Sequence, residues 1–228
     1  MKFTKEQHKI WELLFTKQRQ NLGIFACQEY MNGFKKLKLS KSRLPSLKEL
    51  NKKIRPATGW TVFRTKTRYL NDAQWAKHMA QKEFPITNYL RSRKELEFTP
   101  EPDMFHDILG HLPFLMEKSV VELIEIFAKG YEKAIKKKKI HELAQLWWNT
   151  IEFSAIKEKG NIKIFGTGLM SSFGELNNVI NGKSTLQPWS IEKAIRKPRA
   201  VTGFHPEMLV IDSIEKVKEE LNHFVSSM

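Results

Sequence analysis

The residues best suited to chemistry are two histidines and one glutamate in apolar parts of the chain. His106 and His111 lie five positions apart in the segment 105–113, and Glu152 lies in the segment 147–153. Two imidazoles and one carboxylate form the ligand set that holds non-heme Fe(II) and leaves positions open for oxygen chemistry. The sequence therefore predicts the iron site of a redox enzyme.

The glutamate is the strongest single indication of a metal. Glu152 has Ile151 and Phe153 as neighbours, and a carboxylate buried there without a cationic or metal partner would be costly. One histidine in an apolar helix is more often a hydrogen-bonded core residue, but two histidines with a glutamate weaken that explanation. Zinc fits less well, because the chain lacks the His-Glu-x-x-His signature and has only Cys27 for a multi-cysteine site.

The spacing of the two histidines conflicts with a regular helix. Asp103 is a favourable N-cap after Pro102, so a helix is expected from about residue 103. Five residues correspond to about 140° around an ideal α-helix, so the two rings would not face one metal ion. The sequence therefore requires a local distortion, which we expect at Gly110 and the following residues 112–113.

The remaining apolar periodicity predicts a mostly α-helical protein with a few short β-strands, in which residues 1–228 form a single catalytic domain. Helices are expected over 4–31, after Ser46, over 71–81, from 103, and over 120–134, 141–156 and 213–224. Short strands are expected within 59–68, 84–90, 161–165 and 208–211, with a turn at 166–168.

The excess of basic residues raises one alternative function. The formal net charge is +14, and basic proteins often bind nucleic acid. The lysines are spread along the chain, however, and the one tight run, residues 136–139, falls at a predicted helix end, where positive charge is favourable. A basic nucleic-acid-binding protein with a structural metal is the alternative, but it leaves Glu152 unexplained, so no nucleic-acid partner is expected.

Composition also bounds the class of protein and its location. A chain of 228 residues with 41% hydrophobic and 28% charged residues is typical of a globular protein. No run approaches the ~18 apolar residues of a membrane span, and residues 1–6 lack the apolar core of a secretory signal. The single Cys27 excludes an internal disulfide, so we expect a cytoplasmic protein without a membrane partner.

Three blocks of the sequence, in this order, resemble the pterin-dependent aromatic amino acid hydroxylases. Residues 99–113 have the pattern Thr-Pro-Glu-Pro-Asp-x2-His-Asp-x2-Gly-His-x-Pro, residues 148–153 have Trp-x3-Glu-Phe, and residues 166–175 have Gly-x-Gly-Leu-x-Ser-Ser-Phe-Gly-Glu. The likeness covers nearly the whole chain, and within the family it is strongest to the bacterial phenylalanine 4-hydroxylases.

The resemblance implies a reaction and its cofactors. His106, His111 and Glu152 would bind Fe(II), and a tetrahydropterin, either tetrahydrobiopterin or a related compound, would serve as cosubstrate with O2. The enzyme would hydroxylate the ring of a free aromatic amino acid, L-phenylalanine to L-tyrosine first, with tryptophan or tyrosine as alternative substrates. The chain would be a bare catalytic domain, monomeric or weakly dimeric, without the regulatory domain and tetramerisation helix of animal members.

The resemblance also implies which residues contact the two organic molecules. Arg91 falls at the position that binds the substrate carboxylate, and six more residues fall at substrate-pocket positions: Thr99, Trp148, Phe153, Gly168, Ser171 and Glu175. Three residues fall at pterin positions: Asp107, where glutamate is more usual, Trp75, where a phenylalanine stacks on the pterin, and Trp147, where a tyrosine is found. Residues 64–71 lack the family's Pro-x-x-Gly-Leu loop, which implies an altered wall of the pterin pocket.

Overall fold

The structure of the protein is a computed structural model, and it describes residues 3–68, 70–97, 99, 101–200 and 203–228. Helices dominate these residues, as the sequence predicted. The α-helices are α1 (Lys5–Phe25), α2 (Gln28–Leu37), α3 (Leu47–Thr58), α4 (Asp72–Ala80), α5 (Lys118–Lys137), α6 (Ile140–Trp147), α7 (Thr167–Ser171), α8 (Phe173–Ile180), α9 (Ile191–Arg196) and α10 (Ile214–Ser227). Two turns are π-helical, π1 (His106–His111) and π2 (Trp148–Glu152), and two short 3-10 turns span Arg93–Glu95 and Phe114–Met116.

Six strands form two sheets in the described part of the chain. The strands are β1 (Thr61–Arg64), β2 (Glu83–Ile86), β3 (Ser154–Glu158), β4 (Asn161–Ile164), β5 (Thr185–Pro188) and β6 (Glu207–Ile211). The larger sheet has the order β4-β3-β6-β5, in which β3 is antiparallel to β4 and parallel to β6, and β5 is parallel to β6. β1 and β2 form a separate parallel pair.

Side-chain caps begin three helices where the sequence predicts a start. The side chains of Thr4, Ser46 and Asn71 each accept a hydrogen bond from the backbone N–H three positions later, and the side chain at that later position bonds back to the cap. These capping boxes satisfy backbone donors that have no partner inside the helix. The caps therefore fix the starts of α1, α3 and α4.

The single helix predicted over 4–31 is wrong, because the chain breaks between α1 and α2. Ala26 forms a parallel bridge with Ile164, and Cys27 donates its backbone N–H to the Ile164 carbonyl at 2.9 Å. Ala26 is extended, so it cannot continue α1. Pairing with a distant strand overrides the helical periodicity at this point, which local sequence does not reveal.

The helix predicted over 141–156 is also wrong after Glu152. From Ser154 the chain is extended, and β3 pairs in register with β6 and β4. The turn predicted at 166–168 is instead the start of the short helix α7, with Gly166 as its N-cap. Both differences lie beside the candidate metal ligand, so they determine which backbone surrounds it.

The core runs through the whole described chain and holds the two π turns in place. Buried apolar side chains from α1 to α10 form one cluster, and α5 packs against α4, α6 and α10. At Gly33 a Cβ atom would lie 1.8 Å from the carbonyl oxygen of Pro113, so α2 packs directly against the backbone that follows π1. None of the helices in the described residues is long and apolar enough to cross a membrane.

Candidate metal centre and substrate pocket

The π1 turn brings the two candidate histidine ligands onto one face. Backbone hydrogen bonds in a π-helix join residues five apart, so His106 and His111 lie one above the other. Their Nε2 atoms are 3.0 Å apart. The predicted distortion is this π turn, which spans residues 106–111 rather than lying at Gly110 and residues 112–113. A Cβ atom at Gly110 would lie 2.7 Å from the carbonyl oxygen of Thr167, so glycine is needed there for α7 to pack on π1.

The π2 turn repeats the same spacing with a different pair. Trp147 and Glu152 are five positions apart, and the indole N–H of Trp147 donates to Oε1 of Glu152 at 2.7 Å. The Nε2 atom of His111 is 3.2 Å from Oε1, and the Nε2 atom of His106 is 3.6 Å from Oε2 of the same carboxylate. One ligand atom from each of the three residues thus lies within 4.8 Å of the others.

Hydrogen bonds from neighbouring residues orient these side chains so that they can bind a metal ion. The hydroxyl of Ser171 donates its hydrogen to the carbonyl oxygen of Thr167 at 3.0 Å, so Oγ of Ser171 can accept the Nδ1–H of His106 at 2.8 Å. That tautomer leaves Nε2 of His106 without a proton and free to bind metal. The Thr167 hydroxyl donates to Oε2 of Glu152 at 2.6 Å, which anchors the carboxylate. Two imidazole nitrogens and an oriented carboxylate therefore fit an iron ion.

Burial and neighbouring charged groups shift the pKa values of His106, Glu152 and Asp107. Burial lowers the pKa of His106 to about 4, so the ring is neutral near pH 7, which is the form that binds metal. Burial alone would raise the pKa of Glu152, but the imidazole of His111 holds the pKa of this carboxyl below its ordinary range. Burial raises the pKa of Asp107 to about 7, although its Oδ2 accepts the backbone N–H of Thr87 at 2.6 Å.

Arg91 and Asp103 form a buried ion pair beside the metal ligands. Asp103 accepts from Nε and Nη2 of Arg91 at 2.9 and 2.8 Å, and both side chains are at most 2% exposed. Oδ1 of Asp103 also accepts the backbone N–H of His106 at 3.1 Å. The guanidinium of Arg91 is thus fixed relative to π1. Its Nη1 group has no hydrogen-bond partner among the residues described, and it can take a carboxylate.

The structure brings all the residues predicted for iron, substrate and pterin to one cavity. Its lining includes His106, His111, Glu152, Arg91, Thr99, Trp148, Phe153, Gly168, Ser171, Glu175, Asp107, Trp75 and Trp147. Thr65 and Leu70, from the segment 64–71, line it as well. Tyr69 of that segment, and Pro100 of the first sequence block, lie outside the described residues.

Aromatic rings form much of the cavity wall. The rings of Trp148 and Phe153 are 4.7 Å apart, and a Cβ atom at Gly168 would lie 2.4 Å from the Phe153 ring. Glycine at 168 therefore allows Phe153 to pack against α7. The ring of Trp75 in α4 is T-shaped to those of Trp147 and Tyr131, with centroid distances of 4.7 and 5.1 Å.

Several residues that line the cavity or support its ligands were not found from the sequence. Thr167 bonds to Glu152, and its place between two glycines of the third sequence block was a usable signal. His205 bonds to Glu175 and Trp148 from a part of the chain without any pattern. Arg199 lies 5.7 Å from the Trp148 ring and donates through Nε to Gln145, which periodicity could not indicate.

The geometry defines a class of protein. Two imidazoles and one carboxylate converge at an aromatic-lined cavity in a mostly helical protein, and a metal ion held by them would face the cavity. This arrangement is typical of mononuclear non-heme metal enzymes.

Comparison with known proteins identifies the family. The model of the biopterin-dependent aromatic amino acid hydroxylases matches residues 1–228, and the chain belongs to this family. It is 32% identical over 216 residues to the phenylalanine-4-hydroxylase of Vibrio cholerae, covering 93% of this chain and 73% of the relative. It is 30% identical over 215 residues to that of Pseudomonas aeruginosa, covering 94% and 81%.

The solved structures agree in fold. Phenylalanine hydroxylase from Chromobacterium violaceum, with bound iron(III) and the oxidised cofactor 7,8-dihydrobiopterin, matches with a TM-score of 0.92 and 28% identity over 99% of this chain and 82% of that chain. The cobalt-bound form of the same enzyme has a TM-score of 0.90 at 28% identity and covers 99% and 84%. The predicted family, the mostly helical fold, and the predicted cofactors, iron and a pterin, are confirmed.

Proposed function

We propose that this protein is an iron- and tetrahydropterin-dependent monooxygenase that hydroxylates the ring of a free aromatic amino acid, converting L-phenylalanine to L-tyrosine. The observation that carries the proposal is the convergence of His106, His111 and Glu152 at a cavity that also contains the fixed guanidinium of Arg91. The phenylalanine-4-hydroxylases among the relatives support phenylalanine as the substrate.

The three ligands would bind iron on one face. When bound, iron and the tetrahydropterin supply the chemistry that activates O2 and delivers one oxygen atom to the aromatic ring. The protein holds the ligands still: Ser171 fixes the tautomer of His106, and Thr167 and Trp147 each donate to a different oxygen of Glu152. Such bonds raise metal affinity because the ligands need no reorientation on binding.

The substrate would bind by both of its ends. Nη1 of Arg91 takes the α-carboxylate, and Thr99 lines the same cavity. Trp148 and Phe153 form a continuous aromatic surface against which the substrate ring packs, and their fixed positions orient it for reaction. Because both oxygens of Glu175 already accept from His205, we propose that Glu175 acts on the substrate through the shape of the pocket.

The pterin would bind against α4. Trp75 offers an aromatic face at the cavity, beside Trp147, and Asp107 provides a carboxyl group near the first metal ligand. A pterin ring can stack on an indole as it stacks on other aromatic rings. Thr65 and Leu70 would form the part of this wall that departs from the family pattern.

A turnover assay tests the proposal. Protein loaded with Fe(II) is incubated with tetrahydrobiopterin, O2 and an equimolar mixture of tryptophan, tyrosine and ring-labelled phenylalanine. The products are separated by chromatography and identified by mass spectrometry. Labelled tyrosine is expected as the main product, from wild type and from a variant with the exposed His141 changed, His141→Ala. His106→Ala is expected to give none. No hydroxylated product from iron-loaded wild type would contradict the proposal, whereas another hydroxylated amino acid would change only the substrate.

We also propose one catalytic domain that acts as a monomer or weak homodimer in the cytoplasm. The buried core is continuous from α1 to α10, and Cys27 is a free, buried thiol, as expected where disulfides do not form. Light scattering after size-exclusion chromatography tests the assembly. We expect a mass near 26.8 kDa in dilute solution, and a stable tetramer would contradict the proposal.

A further inference from the structure

His205 is a buried histidine that touches three residues of the substrate pocket. It is 1% exposed and lies just before β6. Its Nδ1 atom is 2.7 Å from Oε1 of Glu175, and its Nε2 atom is 3.2 Å from the indole nitrogen of Trp148. Its ring stacks on Phe153 with the centroids 3.9 Å apart and the planes 24° apart. One side chain therefore contacts both aromatic walls of the pocket.

The partners of His205 fix where its proton lies. An indole N–H can only donate, so the Nε2 atom facing Trp148 must accept and carries no hydrogen. The neutral ring then has its proton on Nδ1, which donates to Glu175. The backbone N–H of His205 donates to the other oxygen of Glu175 at 3.2 Å. Each contact thus has one defined donor and one defined acceptor.

The backbone of His205 is anchored as firmly as its ring. Its carbonyl oxygen accepts from the hydroxyl of Ser184 at 2.6 Å and from the side-chain amide of Asn178 at 3.3 Å. The imidazole therefore cannot shift without breaking bonds to α8 and to the segment before β5. Trp148, by contrast, is only half-buried, and among the described residues its indole N–H donates to His205 alone.

We propose that His205 is a positioning residue that sets the shape of the aromatic pocket wall and thereby its preference for phenylalanine over tryptophan. It holds the indole of Trp148 in one orientation and stacks on Phe153, so the two touching rings present one fixed apolar surface to the cavity. If the bond to His205 is lost, the indole can rotate and the pocket admits a larger side chain. The inference rests on the proposed hydroxylation of an aromatic amino acid.

The test compares three variants of the whole protein. His205→Leu keeps the approximate volume but removes both hydrogen-bonding nitrogens. His205→Gln restores one donor and one acceptor through its amide. His223→Leu makes the same change at an exposed histidine of α10. Protein loaded with redox-inert Co(II) is titrated calorimetrically with phenylalanine and with tryptophan, and kcat and KM for both are measured with iron, while thermal unfolding checks the fold.

The expected result is a change in discrimination. The preference for phenylalanine over tryptophan should fall on the order of tenfold in His205→Leu, since the part-buried hydrogen bond that orients Trp148 is lost. The change should appear in the binding constants and KM more than in kcat, and His205→Gln should recover most of it. His223→Leu should match wild type. A structural role alone would instead weaken binding of both amino acids in parallel.

Other outcomes separate the two proposals. If the binding preference is the same in wild type and all variants, the inference on His205 is overturned. If wild type binds phenylalanine selectively but does not hydroxylate it, the proposed reaction fails and the binding ratio still decides the role of His205. If His205→Leu does not fold, Trp148→Phe removes the same hydrogen bond, and the same loss of preference is expected. Unchanged preference in Trp148→Phe would overturn the inference.

Discussion

The two parts of the cavity wall are held in different ways. Around the metal ligands, directional hydrogen bonds fix each side chain: Ser171 bonds to His106, and Thr167 bonds to Glu152. In α4, by contrast, Trp75 makes T-shaped ring contacts with Trp147 and Tyr131, with centroid distances of 4.7 and 5.1 Å. Hydrogen bonds weaken steeply when they are misaligned, whereas aromatic pairs accept both offset-stacked and edge-to-face arrangements over a range of centroid distances. A metal ion binds most tightly when its ligands are already in place. A cosubstrate enters and leaves at each turnover, so the side chains around it must be able to shift.

Trp147 belongs to both parts of the wall. Its indole N–H donates to Glu152, and its ring edge contacts Trp75. The comparison therefore predicts that changes around the ligands alter metal affinity first, while changes in α4 alter pterin binding first.

The largest effect is expected from Glu152→Gln. The amide keeps the shape of the side chain but removes its charge, and its neutral oxygen is a poor ligand for a divalent ion. Binding of Co(II) in a calorimetric titration is expected to become undetectable. The control Glu192→Gln, at an exposed position of α9, should bind as wild type does. Unchanged Co(II) affinity in Glu152→Gln would show that the metal lies elsewhere.

The next largest effect is expected from Asp103→Asn. The change leaves the buried guanidinium of Arg91 without its counter-charge, which costs about 3–5 kcal/mol of unfolding free energy. The KM for phenylalanine should rise as well, because Arg91 loses its fixed position. In Asp212→Asn the exposed pairs with Lys157 and Lys216 are broken, at a cost of about 1 kcal/mol or less. Urea unfolding measures the free energy of unfolding of both variants. Equal losses would contradict the claim that burial makes the Arg91–Asp103 pair more important for stability.

A smaller effect is expected from Thr167→Val, which removes the hydroxyl that donates to Glu152 but keeps the shape of the side chain. Metal affinity should fall roughly 10- to 100-fold, as is typical when a bond behind a ligand is lost. Thr16→Val, which removes an exposed hydroxyl bonded within α1, is the control. If Thr167→Val binds Co(II) as wild type does, directional bonding does not distinguish the two parts of the wall.

The smallest effect is expected from Trp75→Phe. A smaller ring still contacts Trp147, so the KM for tetrahydrobiopterin should rise only a few-fold, on the order of 1 kcal/mol, as for one aromatic contact. Metal affinity should stay unchanged. A loss of Co(II) binding as large as that in Thr167→Val would contradict the difference between the two parts of the wall, because α4 would then be needed to hold the metal ligands in place.

Residue chemistry made the candidate ligands predictable, but their geometry was not. Two histidines and a glutamate in apolar segments indicated iron without any coordinates, and the capping residues located the starts of α1, α3 and α4. The π turns at 106–111 and 148–152 could not be predicted, because apolar periodicity reports 3.6 residues per turn and not hydrogen bonds between residues five apart.

Long-range pairing accounts for most of the remaining differences. β3 extends where a helix was expected, because Ser154 pairs with Leu209, a residue far along the chain. His205 escaped notice for the same reason: its partners, Glu175 and Trp148, lie 30 and 57 positions away. No local pattern encodes such contacts, so the sequence indicated the candidate metal ligands but not His205, which contacts both aromatic side chains of the pocket wall.

The most direct test of the central claim is to locate the metal. Crystals soaked in Fe(II) without oxygen would be measured at the iron absorption edge, and the anomalous difference map would be inspected. We expect one strong peak about 2 Å from the Nε2 atoms of His106 and His111 and from a carboxylate oxygen of Glu152, the distance of imidazole and carboxylate ligands. A peak bound to other residues, or no peak at these three side chains, would contradict the account.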